Sequence, residues 1–256
     1  MSTAPSVCMA GTKGGGKSDD RQNALGILLT ESNIVRIPGD VGNPATFPFA
    51  VRCKTVAGLT LQRLIRGRDR SLRGRILESA RELVGEGIWA LSTTCGFMIL
   101  FQRDLADVLP VPVLTSSLLQ LPFLLCSLGW RSKVGIITAD AGSLGREHLK
   151  CAGVDGQRVV VAGLENMPHF RSAILENRVS TDYEAIKKEV LRCAQQLVVS
   201  HPQVGALLLE CANLPPYAPV LQDRLGLPVY DFNTMILHAR LAFTRVLHRS
   251  HYFAGF

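Results

Sequence analysis

The sequence predicts an α/β fold of two pseudo-symmetric lobes with mainly parallel sheets and a site in the cleft between them. Three observations predict it. Short, nearly unbroken apolar segments alternate with helical ones along the chain, the pattern of parallel strands covered on both faces by helices. The segment Gly87-Ile-Trp-Ala-Leu-Ser-Thr-Thr-Cys95-Gly-Phe returns as Gly205-Ala-Leu-Leu-Leu-Glu-Cys211-Ala-Asn. A single offset of 116 positions then aligns Ala90, Leu91, Cys95, Leu105, Asp107, Leu109, Pro112 and Val113 with Ala206, Leu207, Cys211, Leu221, Asp223, Leu225, Pro228 and Val229. Ordinary composition would give about two identities in such windows, so the repeat reads as a duplicated strand–cysteine–helix–strand unit. Finally, 256 residues are enough for two lobes, each with its own sheet.

Taken in order, residues 1–23 read as a flexible tail. Within it, Gly11-Thr-Lys-Gly-Gly-Gly-Lys17-Ser18 satisfies the phosphate-loop pattern. Only the short Val7–Ala10 run precedes it, and Asp19 and Asp20 follow, so a nucleotide-binding protein is the alternative rather than the main reading. Ala24–Leu29 is the first strand. The Pro- and Gly-rich run from Ile34 to Pro48 is a loop, and its Asp40, Asn43 and Thr46 are candidate substrate contacts or turn formers.

Apolar residues at helical spacing from Thr60 to Val84, interrupted at Gly67 and Gly74, predict two helical pieces. Ile88–Ser92 is the strand that delivers Cys95, followed by a helix over Met98–Val108 and a short strand over Val111–Leu114. Ser117–Leu128 reads as a buried helix, Lys133–Thr138 as a strand, Ser143–Cys151 as a helix and Arg158–Ala162 as a strand. Thr181–Ser200 has Ile186, Val190, Cys193, Ala194 and Leu197 on one face of a long amphipathic helix. Ala206–Leu209 is the second cysteine-bearing strand. The expected units are the tail over 1–23, a first lobe over 24–113 plus 230–256, and a second lobe over 114–229.

Composition narrows the classes. Seven cysteines without a Cys-x-x-Cys pair or zinc-ligand spacing point to reduced thiols, no metal and a cytoplasmic setting. No secretory signal is visible at the N-terminus, and the uncharged stretch from Val108 to Trp130 holds three prolines and several hydroxyl side chains, so no membrane span is expected. Much of the net charge of +7 comes from Arg63, Arg66, Arg68, Arg70, Arg73 and Arg75. No aromatic residues interleave with them, which argues against nucleic acid and leaves a solvated face. A homo-oligomer is left open.

Ligands of open parallel sheets bind beyond the carboxyl ends of the strands, which is where Cys95 and Cys211 both fall. Each lies at the start of a helical segment, where unpaired N–H groups favour a thiolate. Two facing thiols suit proton transfer at a carbon next to a carboxylate, one removing the proton and the other returning one. Thr93, Thr94 and Asn213, with the backbone N–H groups that follow each cysteine, as at Gly96, then supply donors to the substrate carboxylate, and Phe97 lines the pocket. The Thr-Thr-Cys95-Gly-Phe and Glu-Cys211-Ala-Asn segments, with Ile136-Ile-Thr138, resemble the cofactor-independent aspartate/glutamate racemase superfamily, which includes hydantoin racemases, maleate isomerases and arylmalonate decarboxylases. The resemblance implies two flavodoxin-like lobes, a segment after Val229 that packs back on the first lobe, Thr138 as a further substrate contact, and no cofactor. It also implies a racemase or epimerase of a small carboxylate, with an isomerase or decarboxylase as the alternative on the same scaffold.

Overall fold

The computed structural model describes residues 24–178 and 181–244. The phosphate-loop pattern, Cys8, His248 and His251 lie outside these residues.

The first sheet holds β1 (Ala24–Leu29), β2 (Val51–Thr55), β3 (Ile88–Thr93) and β4 (Val113–Leu114) in the order β2-β1-β3-β4. The second holds β5 (Lys133–Thr138), β6 (Val159–Gly163), β7 (Val204–Leu209) and β8 (Val229–Tyr230) in the order β6-β5-β7-β8. Every pairing is parallel. The duplication is visible in the register: Leu91 pairs with Val113 and Ser92 with Leu114 in one sheet, and Leu207 with Val229 and Leu208 with Tyr230 in the other. Both central pairings also carry a register irregularity at their first residues.

The helices form where apolar residues recur at three- and four-residue spacing. α1 (Arg73–Gly85) buries Ile76, Leu77, Ala80 and Leu83. The first turns after Cys95 are a 3-10 helix over Gly96–Phe101, which passes into α2 (Gln102–Ala106). A further 3-10 turn, Ser117–Gln120, precedes α3 (Leu121–Ser127), whose Phe123 is exposed rather than buried. α4 (Arg146–Cys151) and α5 (Pro168–Phe170) follow in the second lobe. α6 (Tyr183–Ser200) starts at Asp182, whose side chain accepts from the Ala185 N–H, and buries the apolar face read from the sequence. α7 (Ala218–Leu225) completes the second repeat, and α8 (Phe232–Leu241) packs Phe232, Met235 and Ile236 against Leu25, Ile27 and Trp89 of the first sheet.

Three expectations are corrected here. Gly74 does not interrupt a helix but sits in the first turn of α1, where helical hydrogen bonds are not yet complete. The strand β2 was missed, because Arg52 and Lys54 alternate with Val51 and Cys53 at a half-exposed sheet edge. The arginine run is not a merely solvated face: Arg68 donates to Ser143 O (2.9 Å), Arg70 pairs with Glu147 (2.5 Å) and donates to Leu100 O, and Arg73 pairs with Asp104 (2.7 Å). Arg68 and Arg70 thereby tie the first lobe to the second.

Candidate active site

β3 and β7 end side by side and deliver the two cysteines. At both, the chain turns in the same way: Cys95 O accepts from Met98 N and Cys211 O from Leu214 N, each at 3.0 Å. Both thiols are buried, and they lie near enough for a charge on Cys95 to bear on Cys211.

Glu210, the residue before Cys211, is fully buried, and its charge bears on both thiols. Its Oε2 accepts a 2.7 Å hydrogen bond from Thr138 Oγ1 at the end of β5, and its Oε1 has no hydrogen-bond partner. Burial pushes the Glu210 carboxyl up to about 7, against the lowering effect of the Thr138 bond. A Cβ at position 96 would collide with the Glu210 side chain and carbonyl, so only glycine lets the two strand ends approach this closely.

The loop from Ile34 to Pro48 supplies the rest. Arg36 Nη1 pairs with Asp40 Oδ1 at 2.9 Å, and Asp40 Oδ2 accepts from Asn213 Nδ2 at 2.6 Å. The Cys211 thiol donates to Asn213 Oδ1 at 3.6 Å. Asn43 donates to Arg36 O and accepts from Ala45 N, while Thr46 donates to Asp40 O and accepts from Gly39 N. Both side chains are therefore engaged in the loop, and they reach the cysteines through Arg36 and Asp40. A small cavity of about 20 Å³ borders Asp40 and Asn213, with Ile37, Phe170, Tyr183 and Tyr217 in its walls.

The other expected residues are distributed around the thiols. Thr93 donates to Thr115 O (2.7 Å) and fastens β3 to the chain after β4. Thr94 Oγ1 accepts from Thr30 N (3.0 Å) at the end of β1. Phe97 packs edge-on against the buried His148 ring, with centroids 5.0 Å apart. Glu210 and Arg36 were not singled out as site residues in the sequence. The one available signal was a carboxylate closing an apolar strand in a buried sheet.

The ionisation expected of the thiols is reversed. Backbone N–H groups of Phe97 and Met98 and the Arg36 charge do favour the Cys95 thiolate, but burial first and the Glu210 carboxylate second outweigh them and raise the thiol. Burial and Glu210 likewise raise Cys211 well above the ordinary value, with only the Asn213 N–H working the other way among the leading influences. The Arg36 charge and two backbone N–H groups work for the Cys95 thiolate, against one N–H group at Cys211. Among the described residues no cluster of His, Cys, Asp and Glu could hold a metal ion, and no helix is long and apolar enough to cross a membrane.

The chain is 31% identical over 224 residues to a dimethylsulfoniopropionate lyase of Durusdinium sp. clade D, covering 84% of this chain and 74% of that protein. The chain belongs to the dimethylsulfoniopropionate lyase family. It is also 30% identical to dimethylsulfoniopropionate lyase 3 of Emiliania huxleyi, over 81% of this chain but only 56% of that longer protein. No family model matches. Among solved structures, allantoin racemase from Pseudomonas fluorescens aligns with a TM-score of 0.61 at 14% identity, covering 86% of this chain and 91% of that one. Unliganded arylmalonate decarboxylase aligns at 0.58 and 15%, covering 87% and 94%. The fold is therefore the one seen in these racemase and decarboxylase structures, as the sequence resemblance implied.

The lyase relatives overturn the reading as a racemase or epimerase, and with it the isomerase or decarboxylase alternative. Facing thiols speak for proton transfer in general. They do not determine which bond breaks next, and that was the point at which the sequence reading went too far.

Proposed function

We propose that this chain is a lyase that cleaves dimethylsulfoniopropionate by β-elimination, with Cys95 as the base. The Cys95 thiolate removes a proton from the carbon next to the carboxylate. The electron pair left behind becomes a carbon–carbon double bond as the β-carbon–sulfur bond breaks. Neutral dimethyl sulfide departs with the bonding pair, acrylate remains, and the proton rests on Cys95 until solvent takes it. Positive charge on sulfur makes it a good leaving group, so no return of a proton to carbon is needed.

The observation that carries this reading is the convergence of Cys95, Cys211, Glu210 and the Arg36–Asp40 pair on one buried spot, in a chain whose named relatives are lyases of this compound. The charge that develops on the substrate carboxylate needs fixed donors. Arg36, whose charge already bears on Cys95, suits that role, with Thr94, Gly96 and Asn213 flanking the thiols. Cys211, held as a donor by Asn213, is the neutral thiol of the pair. Phe97 and Thr138 shape the pocket from behind, and Asn43 and Thr46 hold the loop that presents Arg36.

Headspace gas chromatography of the purified chain with dimethylsulfoniopropionate tests the proposal. Wild type is expected to release dimethyl sulfide, and Cys95→Ser to lose about a thousandfold in kcat, within the range for a positioned general base. No release from folded wild type overturns the assignment.

A further inference from the structure

Building on the lyase reading, we propose that Glu210 is the counter-ion for the cationic end of the substrate, and so the residue that selects a sulfonium over a neutral group of the same shape. Glu210 is fully buried, and no ion pair to it is found among the described residues. A buried carboxylate without a cation is costly, so the site as built is short of one positive charge.

The geometry says where that charge belongs. Thr138 holds Oε2 and leaves Oε1 buried without a hydrogen-bond partner. Oε1 lies against the Cα of Gly96, beside Cys95, while the backbone of Glu210 leads directly into Cys211. The unpartnered oxygen therefore sits at the Gly96 turn, near enough for the Glu210 charge to bear on both thiols. A trialkylsulfonium has no N–H, O–H or S–H to donate, so it cannot satisfy a carboxylate held in a hydrogen-bonding fork, but it can rest its charge against a single unpartnered oxygen in a low-dielectric site.

Cation binding also bears on the thiols. The Glu210 charge raises both of them, so a bound sulfonium that offsets it lowers the cost of forming a thiolate. The substrate then favours ionisation of the base that attacks it.

Two matched probes supply the test: 3-(trimethylammonio)propanoate, whose quaternary ammonium, like the sulfonium, carries no N–H, and 4,4-dimethylpentanoate, its uncharged carbon counterpart. Calorimetric titration of wild type near pH 8 is expected to show the cation binding about tenfold tighter or better. Glu210→Gln, which keeps the shape and the Thr138 contact, is expected to bring that ratio close to unity. Because this variant could fold poorly, a wild-type pH series gives a second reading. The ratio is expected to fall as the pH drops from about 8 to about 6 and Glu210, raised to about 7, takes up a proton.

The other charged or titratable groups around it do not mimic this response. Cys95 and Cys211 are raised and stay protonated there, Arg36 and Asp40 are paired with each other, and His148 behind Phe97, lowered to about 4, stays neutral. A wild-type ratio near unity, a ratio insensitive to pH, or a Glu210→Gln ratio equal to wild type overturns the inference, even if the variant loses activity. Dimethyl sulfide release by the same wild-type preparation reads the lyase assignment separately.

Discussion

The carboxylate of Glu210 occupies the space that a side chain at Gly96 would fill. These residues come from the two halves of the duplication, and their contact sets how closely the two strand ends meet. Gly96→Ala is expected to destabilise the protein by about 1–3 kcal/mol, the usual cost of overpacking, and to lower lyase activity more than tenfold by displacing Glu210. Urea unfolding alongside dimethyl sulfide release checks both parts. A variant with wild-type activity would show that the close approach is dispensable.

The thiol environments predict an inverted reactivity order. Cys126 and Cys151 are exposed, whereas Cys95 and Cys211 are buried and raised. In ligand-free protein near neutral pH, iodoacetamide is expected to modify Cys126 and Cys151 before either site cysteine, as read by peptide mass spectrometry. For the same reason kcat/KM is expected to climb with pH through the neutral and mildly alkaline range, because thiolate is the minor form there. A falling profile across that range would contradict Cys95 as the base.

His148 connects the site to acid stability. It is buried behind Phe97, its Nδ1 accepts from Gly145 N, and burial foremost, with Arg68 next, lowers it from 6.5 to about 4. The neutral ring is the stable form in the fold. Its contribution is therefore complete above pH 6.5 and is lost as the pH falls toward about 4, reaching about 3 kcal/mol. Melting curves across this window should slope less steeply for His148→Gln than for wild type.

Arg36 neutralises Asp40, which is itself buried. Arg36→Ala leaves that carboxylate uncompensated and is expected to cost about 3 kcal/mol, while raising KM if Arg36 also holds the substrate carboxylate. Arg36→Lys, which keeps the charge but not the fork, is expected to recover most of the stability and little of the KM. Parallel melting and steady-state measurements separate the two effects.

The parts legible in the sequence were those carried by local pattern. The repeat placed β3 and β7, and β4 and β8, at one offset, and the register of both sheets preserves it. The apolar runs located β1 and β5 to the residue. Of the candidate site, the two cysteines were legible because each ends a strand, and Gly96, Thr138 and Asn213 because they stand beside strand ends; their partners were not. The role of Glu210 depends on Thr138, 72 positions away, and on Gly96 in the other half. Asp40 was a candidate from its loop, but that loop's composition says turn and nothing about its pairing with Arg36. The thiol ionisation was misjudged because helix N–H groups can be read from a sequence, whereas a buried carboxylate opposing them cannot.

The measurement closest to the central claim is a proton NMR time course of the wild-type chain with dimethylsulfoniopropionate in D₂O, with Cys95→Ser beside it. The account predicts acrylate and dimethyl sulfide appearing in equal amounts with wild type and almost none with the variant. Deuterium entering the α-carbon of unbroken substrate without acrylate, or equal product from both proteins, would contradict elimination driven by Cys95.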